Sequence, residues 1–356
     1  MSQSILDSRS QIAELDQDNM LGSVEALAHQ VTHAWHDTQQ LTWQSSREIK
    51  NVVVSGMGGS GLGADVIKNL FKSQLKVPFD FVHDYTLPGY VNKDSLVILS
   101  SYSGNTEETL STAEQAISNH AQIMVIAAGG KLVDLANQHN WTLYQIDPQF
   151  NPCNQPRMAI GYAVMGVIGL ASKASLINLT QTEIDQAVQS IAKVIAANTV
   201  EVASDKNPAK QLAFDMVDRK VLLVGAEFLS GAVHTAANQA NENAKTWTDY
   251  AVIPEIDHHL MEGLKFTGGL QHTGLVVFMQ SKLFHPQNQK RVTLTKEIFE
   301  EAGIQTQLIT FNSPTPLTQV FEAITLLGFA NFYLSMLHGI NPSPIPIVES
   351  FKKRLE

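Results

Sequence analysis

Cysteine is nearly absent from this chain of 356 residues; Cys153 stands alone. A disulfide framework within one chain is therefore excluded, and so is a metal centre built on several thiolates. Basic residues are outnumbered, 24 lysines and arginines against 34 aspartates and glutamates, for a formal net charge of −10. That balance disfavours non-specific binding to nucleic acid or to an anionic membrane, while leaving room for a small anionic ligand held locally. No uninterrupted apolar run approaches the roughly 20 residues that span a bilayer. Residues 1–20 show no basic stretch followed by an apolar one, the pattern of a signal peptide. A soluble, cytoplasmic protein is expected, with neither nucleic acid nor membrane as partner.

What is present is enough apolar material for two cores. Hydrophobic residues make up 44% and charged residues 16%, and the length suggests two domains at about 150 residues each. Val24, Leu27, Val31 and Trp35 recur at spacings of three and four, as on one face of an amphipathic helix. Short β-branched runs then alternate with helix-compatible stretches: 52–54, 95–99 (SLVIL) and 122–127 (QIMVIA). Such alternation predicts a parallel sheet covered by helices on both faces, with ligands outside the carboxyl ends of the strands. Residues 147–156 (DPQFNPCNQP) are rich in proline and asparagine and read as a linker, followed by an apolar helix over about 157–173. The plan then restarts. KVLLVGAEFLSG (220–231) parallels VVVSGMGGSG (52–61), TGLVVFMQS (273–281) parallels SLVILSSYS (95–103), and TQLITF (306–311) parallels QIMVIA. This is a degenerate duplication, with domains expected over 1–153 and 154–356. The second copy has Gln280, Ser281 and Lys282 where the first has a hydroxyl cluster, so only the first is equipped for a phosphate.

Gly56, Gly58 and Gly61 satisfy the GxGxxG spacing of a dinucleotide loop. Such a fold also wants an acidic residue about 20 positions on, and Asp84 lies 28 residues after Gly56. Alone, the glycines mark a tight strand-to-helix turn. A second loop, Ser100 to Thr109, also follows a strand and opens a helix. Ser101, Ser103 and Thr106 offer hydroxyls there, beside backbone N–H groups at a helix start. Thr106 also fits an N-cap, which is what an isolated Ser/Thr-rich loop most often supplies. Two such loops on neighbouring strand ends instead make a cup for one terminal phosphate monoester.

GMGGSGLGAD (56–65) followed by SYSGNTEETL (101–110) resembles the sugar isomerase (SIS) domain. With PRMAIGY (156–162), NENAK (241–245) and PEIDH (254–258), the resemblance extends across nearly the whole chain to the bifunctional phosphoglucose/phosphomannose isomerases. It implies two SIS-type α/β domains of flavodoxin-like, doubly wound build. It also implies an aldose–ketose isomerase acting on glucose 6-phosphate, and on mannose 6-phosphate, without metal or cofactor and as a homodimer. The phosphate would be held by Gly58, Gly59, Ser60, Ser101, Ser103 and Thr106.

The same resemblance distributes the catalytic roles. Glu242 is implied as the base that moves a proton between carbons 1 and 2; by itself it reads as a surface partner of Lys245 at i,i+3. His258 is implied for ring opening, a task that suits imidazole near neutral pH. His259 follows directly where the family often has asparagine, and adjacent histidines point apart. Asp257-His258-His259 is too contiguous to chelate a metal well. Arg157 is implied as the enediolate stabiliser, and its place at an expected helix start already ill suits a cation. In the C-terminal NPSPIPIVESFKKRLE, Lys352 matches a ring-opening lysine best, with Lys353 next. Two other readings remain: a phosphosugar sensor, which needs the cup but not the three catalytic groups together, and a nicotinamide-dependent dehydrogenase resting on the glycines.

Overall fold

The computed structural model describes residues 5–355. Three helices come first: α1 (Arg9–Leu15), α2 (Met20–Glu25) and α3 (Leu27–Gln40). The single amphipathic helix expected here is broken at Ala26, whose ψ of 4° leaves the helical basin. Its apolar stripe survives the break, since Val24, Leu27, Val31 and Trp35 are all buried.

The first sheet is wholly parallel. It comprises β1 (Asn51–Gly56), β2 (Phe79–Val82), β3 (Ser95–Ser100), β4 (Gln122–Ala127) and β5 (Thr142–Gln145), in the order β2-β1-β3-β4-β5. Between the strands lie α4 (Gly58–Leu70), α5 (Glu107–Ser118) and α6 (Gly130–His139). β3 and β4 are buried at every position, as central strands covered on both faces must be; that is why SLVIL and QIMVIA read as continuous apolar runs. Val53, Val97, Leu99 and Val125 pack on one face in a core of their own. Val52, Val54, Leu96 and Ile98 face the other way, into a core continuous with the second half of the molecule.

The stretch 147–156 has no regular structure until Pro156, yet it is no free tether. The side-chain amide of Asn151 donates to the Tyr102 hydroxyl, Gln30 donates to the Phe150 carbonyl, and Asn151 and Cys153 are buried. Its asparagines tie the chain back onto the loop after β3. Next come α7 (Ile160–Lys173), packed on α3 and α4, then α8 (Gln181–Asn198) and α9 (Pro208–Met216).

The second sheet repeats the first: β6 (Lys220–Ala226), β7 (Thr248–Ile253), β8 (Gly274–Ser281) and β9 (Gln305–Phe311), in the order β7-β6-β8-β9, again parallel. Its helices are α10 (Ser230–Gln239), the short α11 (Leu270–Thr273), α12 (Pro286–Glu301), α13 (Pro316–Leu337) and α14 (Pro346–Leu355). α13 is long and apolar enough to cross a membrane. It is instead the central core helix, exposed to any degree only at Pro316, Glu322, Leu326 and Leu337. Glu322, which interrupts its apolar run, accepts a hydrogen bond from Ser190.

Candidate active site

Gly56 at the end of β1 pairs in register with Ser100 at the end of β3. The order β2-β1-β3 reverses direction at this point, so the loops leaving β1 and β3 flank the crevice where such sheets take ligands. The helices they open are uncapped by side chains, at Met57 for α4 and at Thr106 for α5. Their first-turn N–H groups have no acceptor within the helix, which makes each end an anion site by construction.

The hydroxyls divide into braces and rim. Ser60 accepts from the Tyr102 N–H at 2.8 Å, and Ser100 donates to the Ser60 carbonyl at 2.8 Å, so the two loops are stitched together. Ser101 is fully buried; its hydroxyl accepts from the Gly104 N–H at 3.1 Å and pairs with Thr106 at 2.7 Å. Thr106 does occupy the N-cap position but makes no capping bond, because its hydroxyl is turned to Ser101. Ser103 and Gly58 are exposed at the rim. Gly59 is a close-approach glycine: a Cβ there would lie 2.8 Å from the Cα of Arg157. The phosphate-loop candidate is thus seated directly on the backbone of the candidate cation.

Arg157 is 1% exposed and fully committed. Nε donates to the Asn243 side chain and Nη1 to Gln155 at 2.9 Å. Nη2 donates to the carbonyls of Pro342 at 3.0 Å and Ser343 at 2.7 Å. Nη1 lies 3.3 Å from the Glu242 carboxylate. Burial pulls the guanidinium below its ordinary proton affinity, and Glu242 opposes that shift; the group remains a cation in any accessible pH range. Glu242 sits in a π turn, Ala240–Ala244, that continues α10, with its side chain 31% exposed. The carboxylate pairs with Arg157, and Lys245 reaches the Glu242 backbone carbonyl instead. Sequence reasoning missed Asn243, Gln155 and the Pro342–Ser343 carbonyls. Asn243 was within reach, since it is the second asparagine of the quoted NENAK.

The second lobe closes its own equivalent corner. Glu227 has a φ of 47° where the first lobe has Gly58 at 49°. Its carboxylate accepts from the His285 N–H and the Asn288 side chain, both at 2.7 Å, beside the start of α12.

His258 and His259 are both exposed on a short turn anchored by Asp257, which holds Arg291 and Thr295. Lys352 and Lys353 are exposed on α14, which buries none of its residues. Among the described residues, none of these four side chains bonds to Arg157 or Glu242. One chain therefore brings the hydroxyl-bearing loops, Arg157 and Glu242 together, and among the described residues His258 and Lys352 make no bond to that group. A wide groove lined by Trp43, Gln122, His139 and Thr142 lies at the amino ends of β4 and β5, the edge opposite the ligand crevice.

Fold and site together define the class. Residues 47–159 match the SIS domain, and residues 205–355 match the family described as the bacterial phospho-glucose isomerase C-terminal SIS domain; this is a tandem SIS-domain protein. Relatives along most of its length include bifunctional phosphoglucose/phosphomannose isomerases. That of Caldicellulosiruptor bescii is 28% identical over 341 residues, covering 94% of this chain and 98% of the relative. That of Aquifex aeolicus is 27% identical over 308 residues, covering 86% and 91%. In three dimensions the chain is similar to a hypothetical protein from Thermus thermophilus, with a TM-score of 0.75 at 17% identity, covering 98% of this chain and 94% of that one.

Proposed function

We propose that this protein interconverts glucose 6-phosphate, and mannose 6-phosphate, with fructose 6-phosphate through an enediolate. The observation that carries this reading is the pair of Arg157 and Glu242, set against Gly59 at the mouth of an anion-binding crevice. The phosphate anchors at the open starts of α4 and α5, with Gly58 and Ser103 at the rim and Ser60, Ser101 and Thr106 bracing the loops behind it. Its binding energy orients the far end of the sugar toward the second lobe. There Glu242 removes a proton from one carbon and returns it to the next, while buried, immobile Arg157 faces the charge that develops on the enediolate oxygens. Acceptance of both aldoses requires the base to serve either hand at carbon 2.

His258 opens the ring, and in a homodimer it comes from the partner copy. The support is that His258 is exposed in the single chain, and that Trp247, Phe266, Ile347 and Phe351 are exposed too, at 77%, 85%, 85% and 59%. Lys352 on α14 assists at the same end. A cytoplasmic setting suits a chain whose lone thiol, Cys153, is buried.

The test is deuterium incorporation at carbon 2 of the aldose formed from fructose 6-phosphate in heavy water. Wild type incorporates label, and Glu242→Gln slows both turnover and labelling on the order of 10²–10⁴-fold. Undiminished labelling in the variant would remove Glu242 from the role. A wild type that binds the sugar without turnover would make the protein a sensor.

A further inference from the structure

The π turn that carries Glu242 ends on a residue whose backbone is unusual for its type. Lys245 has φ 54° and ψ 29°, in the left-handed region that L-residues with long side chains rarely occupy. That conformation reverses the chain and folds the lysine side chain back over the turn. Nζ lies 2.5 Å from the Glu242 carbonyl and 3.0 Å from the Pro342 carbonyl. Pro342 also accepts from Nη2 of Arg157 at 3.0 Å, and Nη1 of Arg157 faces the Glu242 carboxylate at 3.3 Å. The contacts form a closed circuit: carboxylate of Glu242, Arg157, carbonyl of Pro342, Lys245, and back to the main chain of Glu242.

We propose that Lys245 is a positioning residue for the isomerase chemistry, closing this circuit so that the Glu242 carboxylate keeps one setting against Arg157. The inference rests on the isomerase reading above. A π turn leaves carbonyls without acceptor duty in the helix, and an ammonium at a helix C-terminus is the natural partner for them. Here the partner also reaches the loop that leads into α14, so one cation ties the base to the segment bearing Lys352. The other charged groups acting on it are Arg157 and Glu242; His338 bonds through Nδ1 to the neighbouring Ala244 carbonyl at 3.0 Å. Burial first, and then the charge of Arg157, bring the Lys245 ammonium down to about 8, with Glu242 opposing. Loss of that proton weakens two charge-assisted hydrogen bonds, so the circuit loosens on the alkaline side.

The experiment compares wild type, Lys245→Met and Lys245→Arg by kcat, KM for fructose 6-phosphate, pH profile and melting temperature. Lys245→Met is expected to lose kcat by roughly 10–100-fold, the scale of a base displaced by about 1 Å. KM should stay within about twofold, because the phosphate cup lies in the other lobe. Lys245→Arg keeps the charge and the donors; it should recover most of kcat and lack the wild-type alkaline limb near pH 8. A folded Lys245→Met with wild-type kcat, or one whose loss lies wholly in KM, would overturn the proposal. If Lys245→Met does not fold, Lys245→Arg decides: an unchanged alkaline limb overturns it. If wild type itself turns over no hexose phosphate, the isomerase reading fails separately. A crystal structure of Lys245→Met then tests the geometry alone, and Glu242 still 3.3 Å from Arg157 would refute the clamp.

Discussion

Gly104 shows how little tolerance the loop after β3 has. Its φ is +67°, and a Cβ there would lie 1.8 Å from the Gly129 carbonyl, an overlap with backbone that no rotamer relieves. Gly104→Ala must therefore shift the loop that Ser101 and Thr106 brace. KM for hexose 6-phosphate is expected to rise about tenfold or more, with kcat changing less because Glu242 acts in the other lobe. Melting should fall by several degrees, as for a roughly 1–3 kcal/mol loss at a strained site. Steady-state kinetics and thermal unfolding check both. At this scale the sequence was informative in kind but not in detail. That Ser101 and Thr106 share one loop between a strand and a helix was legible from the motif that holds them. That Ser101 braces the loop, and that Lys245 takes a carbonyl rather than the Glu242 carboxylate, depends on side-chain directions that spacing does not encode.

Elements were legible where burial is uniform and illegible where the chain bends. β3, β4 and β8 were read as apolar runs because strands covered on both faces have no polar side. The break at Ala26 and the π turn after α10 carry no composition signal. α1 joins the body through buried Ile12 and through ion pairs: Arg9 holds Glu25 at 2.7 Å and also Glu201, just beyond α8. The Arg9 hydrogen bond lowers Glu201 from 4.5 to about 2. A carboxylate whose folded value is depressed stabilises the fold fully above its unfolded value, and that contribution is lost as pH falls from 4.5 toward 2. The pair is largely exposed, so its worth is under about 1 kcal/mol. Arg9→Ala should therefore be slightly less stable than wild type in urea near pH 7, and equal to it once the pH nears 2; a difference persisting in acid would assign the effect to packing of the arginine stem.

At the scale of the whole molecule, the two lobes share one continuous core, and the site forms at their seam. If His258 crosses to a partner, two inactive variants can complement. Mixing Glu242→Gln with His258→Ala and refolding together should restore about a quarter of wild-type sites, those in mixed dimers that draw both intact groups from opposite chains. No recovery would place His258 within its own chain or outside the reaction. The duplicated α/β plan and the two loops at the strand ends were determined by the sequence alone, because hydrophobic period and turn chemistry are local properties. The ring of contacts from Gly59 through Arg157 to Glu242, Lys245 and Pro342 was decided only by tertiary structure. Its members come from segments up to about 280 residues apart, brought together by the packing of α4, α10 and α13, and nothing local to any of them specifies the others.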